Sequence, residues 1–191
     1  MNTKKIWKKP AKFLGPSQFA TVLDLNPWMN KSQLKDLMEN GAWIEKSSSC
    51  NFGISKEKIA IDYYKQNLLK ENEKIITPKW KTHKKNKKIG GIADGIIVDE
   101  NDNKIGLEIK CHPNKSQSLK DIPDYYMPQM CGYMDLYNIK EWILMSVAFQ
   151  NDEIVDVNLI SLDWYSIKGN WENQWFPKLN QFTKDINWNN K

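Results

Sequence analysis

The chain contains no arginine, so all 28 of its basic residues are lysines, set against 23 acidic residues. Any phosphate that it binds must therefore be held by ammonium groups, backbone amides or hydroxyls, because the two-pronged guanidinium contact is missing. The net charge is +5, and the lysines are concentrated in residues 4–12 and 79–88. Such clusters are usually solvated surface, but two of them also suit a polyanionic partner.

Long apolar runs and paired cysteines are missing too. No stretch approaches the roughly 20 apolar residues of a membrane span, and the first ten residues contain no apolar core of a secretion signal. The three cysteines, Cys50, Cys111 and Cys131, are scattered and suit neither a disulfide framework nor a zinc or iron–sulfur site. We therefore expect a cytoplasmic protein with free thiols and no membrane partner.

The remaining composition predicts one folded domain over residues 1–191, since 40% of the residues are hydrophobic and 12% are aromatic. Periodicity and capping signals, with Ser17 and Ser32 as N-caps of the first two helices, predict helices over 17–25, 33–40, 55–71 and 163–184. A further helix is predicted from Pro123 or Tyr126 to Tyr137. Period-two patterns predict strands over 88–98, 104–111, 141–149 and 154–162, and either short strands or an irregular edge at 74–77 and 80–83. This order indicates an α/β (α+β) domain with a mixed central β-sheet flanked by helices.

The clearest local prediction is a hairpin in which residues 99–103, all turn formers, join strands 88–98 and 104–111. This hairpin carries charges where apolar residues are expected. Glu108 and Lys110 are two residues apart and share one face of their strand, and Asp94 can lie within reach on the neighbouring strand. Charged groups in an apolar strand pair are costly unless they bind something.

Two converging carboxylates form a site for a hard divalent cation, with Mg²⁺ as the default and Mn²⁺ as a substitute. A lysine beside them can hold or deprotonate an attacking water and offset charge on a phosphate. The alternative is that Asp94 lies in a turn and that Glu108 and Lys110 form a weak ion pair on a solvated strand face. The combination favours metal-dependent hydrolysis of a phosphodiester bond.

The same residues resemble a known family. Asp94, followed fourteen residues later by Glu108-Ile-Lys110, resembles the PD-(D/E)xK nuclease signature, with Ala93 in place of the proline. Gly91-Ile-Ala-Asp-Gly95 is similar to the Gly-x-x-Asp-Gly element of the lambda-exonuclease or YqaJ-type viral recombinase family. Three further motifs of that family are matched in order within residues 12–150, by Gly15-Pro-Ser17, by Gly53-Ile-Ser-Lys-Glu-Lys-Ile-Ala60 and by Gln129-Met-Cys-Gly-Tyr133.

The resemblance implies a restriction-endonuclease-like core and a Mg²⁺-dependent exonuclease that degrades linear double-stranded DNA from 5′ to 3′. It implies that metal is held by Glu57, Asp94, Glu108 and the Ile109 carbonyl, and that Lys110 serves the attacking water. It further implies a role in shaping the site for Gln129 and Tyr133, and contacts to DNA from Ser17, Lys12, Lys81, Lys84 and Lys85. The implied partners are duplex DNA ends, a single-strand annealing protein and further copies of the chain in a ring trimer.

Several alternatives stay open at the level of sequence. Glu57 also suits an exposed acid in the first turn of its helix, and Tyr133 also suits a core residue. His112 is predicted to be a loop residue rather than a ligand. The family often grips the 5′ phosphate with an arginine, so Lys9 or Lys12 would have to replace it here. An endonuclease of the same fold, or an inactive DNA-binding protein, would carry the same signals.

Overall fold

The computed structural model describes residues 5–45 and 48–188, and a mixed five-stranded sheet forms its centre. The sheet order is β3, β6, β7, β8, β9, with the strands spanning Glu73–Ile76, Gly95–Asp99, Lys104–Pro113, Glu141–Gln150 and Glu153–Asp163. Only the β7–β8 pair is parallel among these neighbours; the other three are antiparallel. The predicted mixed central sheet is therefore confirmed.

Helices cover both faces of this sheet. In chain order they are α1 to α6, spanning Phe19–Val22, Lys31–Asn40, Ser48–Asn67, Met127–Tyr137, Trp164–Asn170 and Phe176–Asp185, with a π-helical segment at Trp171–Trp175 between the last two. Two short ribbons complete the fold, pairing β1 with β2 and β4 with β5, at Lys5–Lys8, Ala42–Glu45, Lys81–Thr82 and Gly90–Gly91. No helix in the described ranges is both long and apolar enough to cross a membrane.

The parallel β7–β8 pair requires a crossover, and α4 lies in that connection. Alternate residues of β7 therefore face different layers. Leu107 and Ile109 join a buried cluster with Ala60 and Tyr64 of α3. The second buried cluster includes Met130 and other residues of α4. The sheet is thus enclosed between α3 and α4, which explains the apolar residues that alternate along β7.

The predicted starts of the first two helices are wrong, because residues other than Ser17 and Ser32 form the capping hydrogen bonds. Helix α2 begins at Lys31, since the Asn30 side chain accepts from the Gln33 amide and the Gln33 side chain accepts from the Asn30 amide. Ser32 is therefore not its N-cap. Ser17 is not an N-cap either: the first helical turn, Pro16–Gln18, follows Gly15, whose amide donates to the Gln18 side chain.

Two predicted strand boundaries are also wrong. Residues 88–98 do not form one strand, because β5 ends at Gly91, β6 begins at Gly95, and β5 pairs with β4 outside the central sheet. In the break between β5 and β6, the Ile92 carbonyl accepts a hydrogen bond from the Tyr133 hydroxyl, and the Asp94 side chain accepts one from the Ile109 amide. Side chains thus bond to backbone groups that would otherwise pair with a neighbouring strand. Strand β7 continues to Pro113 because β8 pairs with it to the end, so His112 is a strand residue and not a loop residue.

Gly106 lies where two neighbouring strands of this sheet pack too closely for a larger side chain. A Cβ at this position would lie 2.0 Å from the ring of Trp142, its fully buried partner on β8. We expect Gly106→Ala to lower the free energy of unfolding by about 3 kcal/mol, measured by urea denaturation. The control is Gly169→Ala in α5, where a Cβ meets nothing within 4 Å in the described structure, and which should stabilise by about 0.5 kcal/mol. Equal stability of the two variants would contradict this packing.

Candidate active site

The charged residues of β7 form a buried pair. Glu108 is only 2% exposed, and its Oε1 lies 2.6 Å from the Lys110 Nζ. The Lys110 side chain is 22% exposed, so the pair lies at the edge of the buried interior. The alternative of a solvated strand face with a weak surface pair is therefore wrong. A buried carboxylate of this kind is expensive to keep without a compensating partner.

Asp94 is fixed beside this pair by the break between β5 and β6. Its Oδ2 accepts a hydrogen bond of 2.8 Å from the amide of Ile109, the residue between Glu108 and Lys110. The Asp94 carboxylate is thus tied to the centre of the charged segment of β7. Burial raises the pKa of Asp94, while Lys110 and the Ile109 hydrogen bond act in the opposite direction.

Helix α4 contributes Gln129, which contacts both members of the pair. Its Nε2 donates to Glu108 Oε1 at 2.6 Å, and its Oε1 accepts from Lys110 at 3.3 Å. The ring of Tyr126, just before this helix, lies 4.9 Å from the Lys110 Nζ. The ammonium group is therefore held by a carboxylate, an amide oxygen and an aromatic face.

Tyr133, one turn further along α4, acts on the backbone that carries Asp94. Its hydroxyl donates to the Ile92 carbonyl at 2.8 Å, and its ring stacks on Trp142 with centroids 5.6 Å apart. Burial raises the pKa of Tyr133, so the hydroxyl stays a donor. Tyr133 is both packed in the core and a positioning residue for the strand break, whereas Gln129 touches the charged pair itself.

Glu57 approaches the site from α3. It lies well inside the helix Ser48–Asn67, so the expectation of a first-turn residue is wrong. Burial raises the pKa of Glu57, and the nearby Asp94 raises it further while Lys110 opposes the shift. The structure thus brings Glu57 into the same electrostatic field as the hairpin residues.

The field of the site is dominated by excess negative charge. Burial raises the pKa of Glu108 to about 7; Lys110 opposes this shift, and Asp94 and Glu57 add to it. Burial by itself would lower the pKa of Lys110, but the Glu108 carboxylate raises it on balance. Lys110 is therefore held as an ammonium ion, which favours a role as a hydrogen-bond donor over that of a base.

The donor set fits a hard divalent cation. Within residues 5–45 and 48–188, the buried Glu108 Oε2 has no hydrogen-bond partner, and three carboxylates face one ammonium. In that same part of the chain, no three His, Cys, Asp or Glu side chains are grouped closely enough to enclose a metal by themselves. A cation that takes few carboxylates and completes its shell with water, as Mg²⁺ does, matches this arrangement.

The chain just after the first lysine cluster pairs with the end of the second cluster through Leu14. Its amide donates to the Lys88 carbonyl at 2.7 Å, and its carbonyl accepts from the Gly90 amide at 3.2 Å. This pairing brings Lys12 beside the segment 79–88. The residues predicted to contact DNA are all exposed, namely Ser17, Lys12, Lys81, Lys84 and Lys85.

His83 shapes this basic segment, and sequence reasoning missed it. The amides of Lys85 and Asn86 both donate to its Nδ1, so the proton of the neutral ring lies on Nε2, which donates to Asp135 at 3.2 Å. Trp171 donates to the same carboxylate. A histidine among lysines gives no signal for such a contact, since its partner lies 52 residues away.

Comparison with solved structures supports the fold. The alkaline exonuclease of Laribacter hongkongensis is 14% identical over 92% of this chain and 90% of its own, with a TM-score of 0.59, and its complex with dAMP gives 0.60 at the same identity and coverage. A phage-related exonuclease from Haemophilus somnus 129PT is 13% identical, with a TM-score of 0.54 over 93% of this chain and 94% of its own. No curated protein matches in sequence.

The family is established by the sequence itself. The model of the YqaJ-like viral recombinase domain matches residues 8–137. That range includes all the polar residues that meet at the site, namely Glu57, Asp94, Glu108, Lys110, Gln129 and Tyr133. It also agrees with the resemblance predicted from the short motifs. The chain therefore belongs to the YqaJ-like viral recombinase domain family, and it has the fold of the exonucleases to which it is similar.

Proposed function

We propose that this protein is a divalent-metal-dependent exonuclease that degrades linear double-stranded DNA from its 5′ ends. The observation that carries the proposal is the buried Glu108, whose Oε2 has no partner in the described structure while its Oε1 is held by Lys110 and Gln129. An isolated buried carboxylate oxygen is costly unless it binds something. The family and the shared exonuclease fold support the same activity.

Asp94, Glu108 and the Ile109 carbonyl would hold the cation, with Mg²⁺ preferred and Mn²⁺ as a substitute. Glu57 would reach it through a bound water, since no three acidic side chains in the described ranges are close enough to share one ion directly. When bound, the cation would polarise the scissile phosphate and make a water molecule more acidic. The chain keeps this donor set in place through the Asp94 to Ile109 hydrogen bond of 2.8 Å. Because that bond uses one carboxylate oxygen of Asp94, the other is available as a ligand.

Lys110 would orient the attacking water and stabilise negative charge on the phosphate. Its ammonium group donates, since its pKa is raised on balance by Glu108 although burial acts against this. Gln129 fixes the distance between Glu108 and Lys110 by bonding to both. Charged donors that are held in place before the reaction lower the barrier because they need not reorganise during it.

The exposed lysines would hold the DNA backbone without reading its sequence. Lys81, Lys84 and Lys85 provide point charges along one segment, and Lys12 lies next to it. Lys12 or Lys9 would take the role of the missing arginine, and Ser17 would contact a terminal phosphate. Binding of this kind weakens steeply with added salt. An annealing protein and a trimeric assembly, which the family resemblance implies, remain predictions.

The proposal is tested with end-labelled linear duplexes and a closed circular duplex of the same sequence, each incubated with Mg²⁺. We expect the linear DNA to be shortened progressively from its 5′ ends and the circle to survive. A 5′-phosphorylated end should be degraded faster than a dephosphorylated one. Cleavage of the closed circle would instead assign an endonuclease of the same fold, and absence of any cleavage would contradict the enzyme.

Cation binding itself has a measurable signature. We expect saturating Mg²⁺ to raise the melting temperature by about 5 °C at roughly pH 8 and by clearly less at roughly pH 5.5. The raised pKa values of Glu108, Asp94 and Glu57 mean that protons compete with the cation as the pH falls. Asp94→Asn should remove the shift. An equal shift at both pH values would contradict binding through these carboxylates.

A further inference from the structure

A row of aromatic rings leads from Lys110 to the protein surface. The Tyr126 ring lies 4.9 Å from the Lys110 Nζ, Tyr125 is 4.5 Å from Tyr126, and Trp28 is 5.0 Å from Tyr125, both measured between ring centroids. The last two contacts are edge-to-face, with interplanar angles of 69° and 79°. These three rings, Trp28, Tyr125 and Tyr126, are called the aromatic row below.

The outer end of the aromatic row is unusually open. Trp28 is 73% exposed, a large apolar surface to leave in water. Its backbone is nevertheless fixed, since its amide donates to the Asn26 side chain at 2.9 Å. Tyr126 is fixed as well, by a hydrogen bond of 2.8 Å from its amide to the Pro123 carbonyl. The Trp28 ring is therefore held from one side and keeps most of its surface available.

We propose that the aromatic row stacks the bases of unpaired nucleotides in the DNA strand next to the bond that is hydrolysed. This inference rests on the proposed function, because it takes DNA as the substrate. Rings that stack on bases bind single-stranded nucleic acid without preference for sequence, since every base has a π face. This property is what an enzyme that degrades any linear duplex requires after the terminal pairs separate.

The placement of the aromatic row favours bases over phosphates. Its inner end contacts Lys110, the group proposed to face the scissile phosphate. Its outer end offers ring surface, because Trp28 is 73% exposed and contacts the Tyr125 ring. A strand whose phosphate lies at Lys110 would thus have its neighbouring bases at the rings. Stacking also supplies affinity that a chain without arginine cannot obtain from guanidinium contacts.

The test measures binding of a 3′-labelled oligothymidylate of about 12 nucleotides, by fluorescence anisotropy without divalent cations, and of an abasic oligonucleotide of the same length. We expect Trp28→Ala to weaken binding of the oligothymidylate about tenfold and to leave binding of the abasic strand unchanged. Trp28→Phe should retain the affinity. The control is Tyr165→Ala on α5, since Tyr165 is also 73% exposed but is not part of the row.

Several results would overturn the inference. Equal loss on both strands would assign Trp28 to backbone binding or to folding, and no loss on either strand would leave the row without a role in DNA binding. A Trp28→Ala protein that changes its oligomeric state, measured by light scattering, but keeps its affinity would make the row a contact between copies. Binding is read without hydrolysis, so a wild-type chain that binds but degrades no DNA contradicts the proposed function alone.

Discussion

Replacing Asp94 by asparagine is expected to abolish DNA degradation, with a rate loss of about a thousandfold or more. The asparagine oxygen can still accept the Ile109 amide that Asp94 accepts at 2.8 Å, so the strand break should be kept. The variant loses a negative charge that would bind the cation and that helps to keep Lys110 protonated. Degradation of an end-labelled linear duplex gives the rate, and circular dichroism with thermal melting verifies the fold.

The matched control is Asp102→Asn, the same chemical change at the turn of the same hairpin. The Asp102 side chain is 77% exposed and pairs with Lys104 at the surface. Its backbone has a φ of 61°, a conformation that asparagine also adopts readily. We expect this variant to degrade DNA at the wild-type rate. Retained activity in Asp94→Asn would contradict both the proposed metal site and the proposed catalytic role of Asp94.

Replacing Lys110 by methionine is expected to reduce activity by about a thousandfold and to destabilise the fold by about 3 kcal/mol at roughly pH 8. The loss of stability arises because Glu108, which is 2% exposed, loses the ammonium group 2.6 Å away. Methionine keeps most of the volume, so the change is mainly one of charge. Urea denaturation gives the stability, and the linear duplex assay gives the activity.

The destabilisation should shrink at roughly pH 5.5, where Glu108 can be protonated. A carboxyl group whose pKa is raised by folding binds its proton more tightly in the folded chain than in the unfolded chain. The ordinary pKa of a glutamate is 4.5, and the pKa of Glu108 in the folded chain is about 7. The contribution of Glu108 to stability therefore falls as the pH rises between these two values. Lys110 lowers the pKa of Glu108, so its removal raises that pKa further and extends this pH range upward.

A double variant separates the two effects of Lys110→Met. Adding Glu108→Gln removes the unpaired buried charge, so the double variant should recover most of the lost stability while staying inactive. Gln129 can still donate to the new amide oxygen, since it already donates to Glu108 Oε1. If the double variant were less stable than Lys110→Met, the buried pair would not be the source of the cost.

Much of the site was predictable because it lies in one hairpin. The turn formers at 99–103 align β6 with β7, and the two-residue period of a strand places Glu108 and Lys110 on one face. Gln129 and Tyr133 were also predictable as neighbours on one helix. Their different contacts, Gln129 to the charged pair and Tyr133 to the Ile92 carbonyl, could not be predicted. They depend on where α4 lies over the break between β5 and β6.

Errors arose where distant groups replaced local hydrogen bonds. The strand predicted over 88–98 is interrupted because Tyr133 and Ile109, from α4 and β7, bind the segment at Ile92 and Asp94. A pattern of alternating residues cannot show such an interruption, because the apolar residues continue on both sides of it. The position of Glu57 was missed for a related reason, since α3 begins at Ser48, before the residues with clear helical spacing.

The sequence by itself determined the family, the mixed sheet and the acidic and lysine residues of the hairpin, because each of these depends on short spacings along the chain. Only the tertiary structure decided which groups meet. In the tertiary structure Glu108 is buried, and Leu14 pairs with Lys88 and Gly90 at the end of the basic segment. The basic segment also contacts Asp135 through His83, and two tyrosines connect Trp28 to Lys110. These contacts join residues far apart in the chain, and packing of helices on the sheet brings them together.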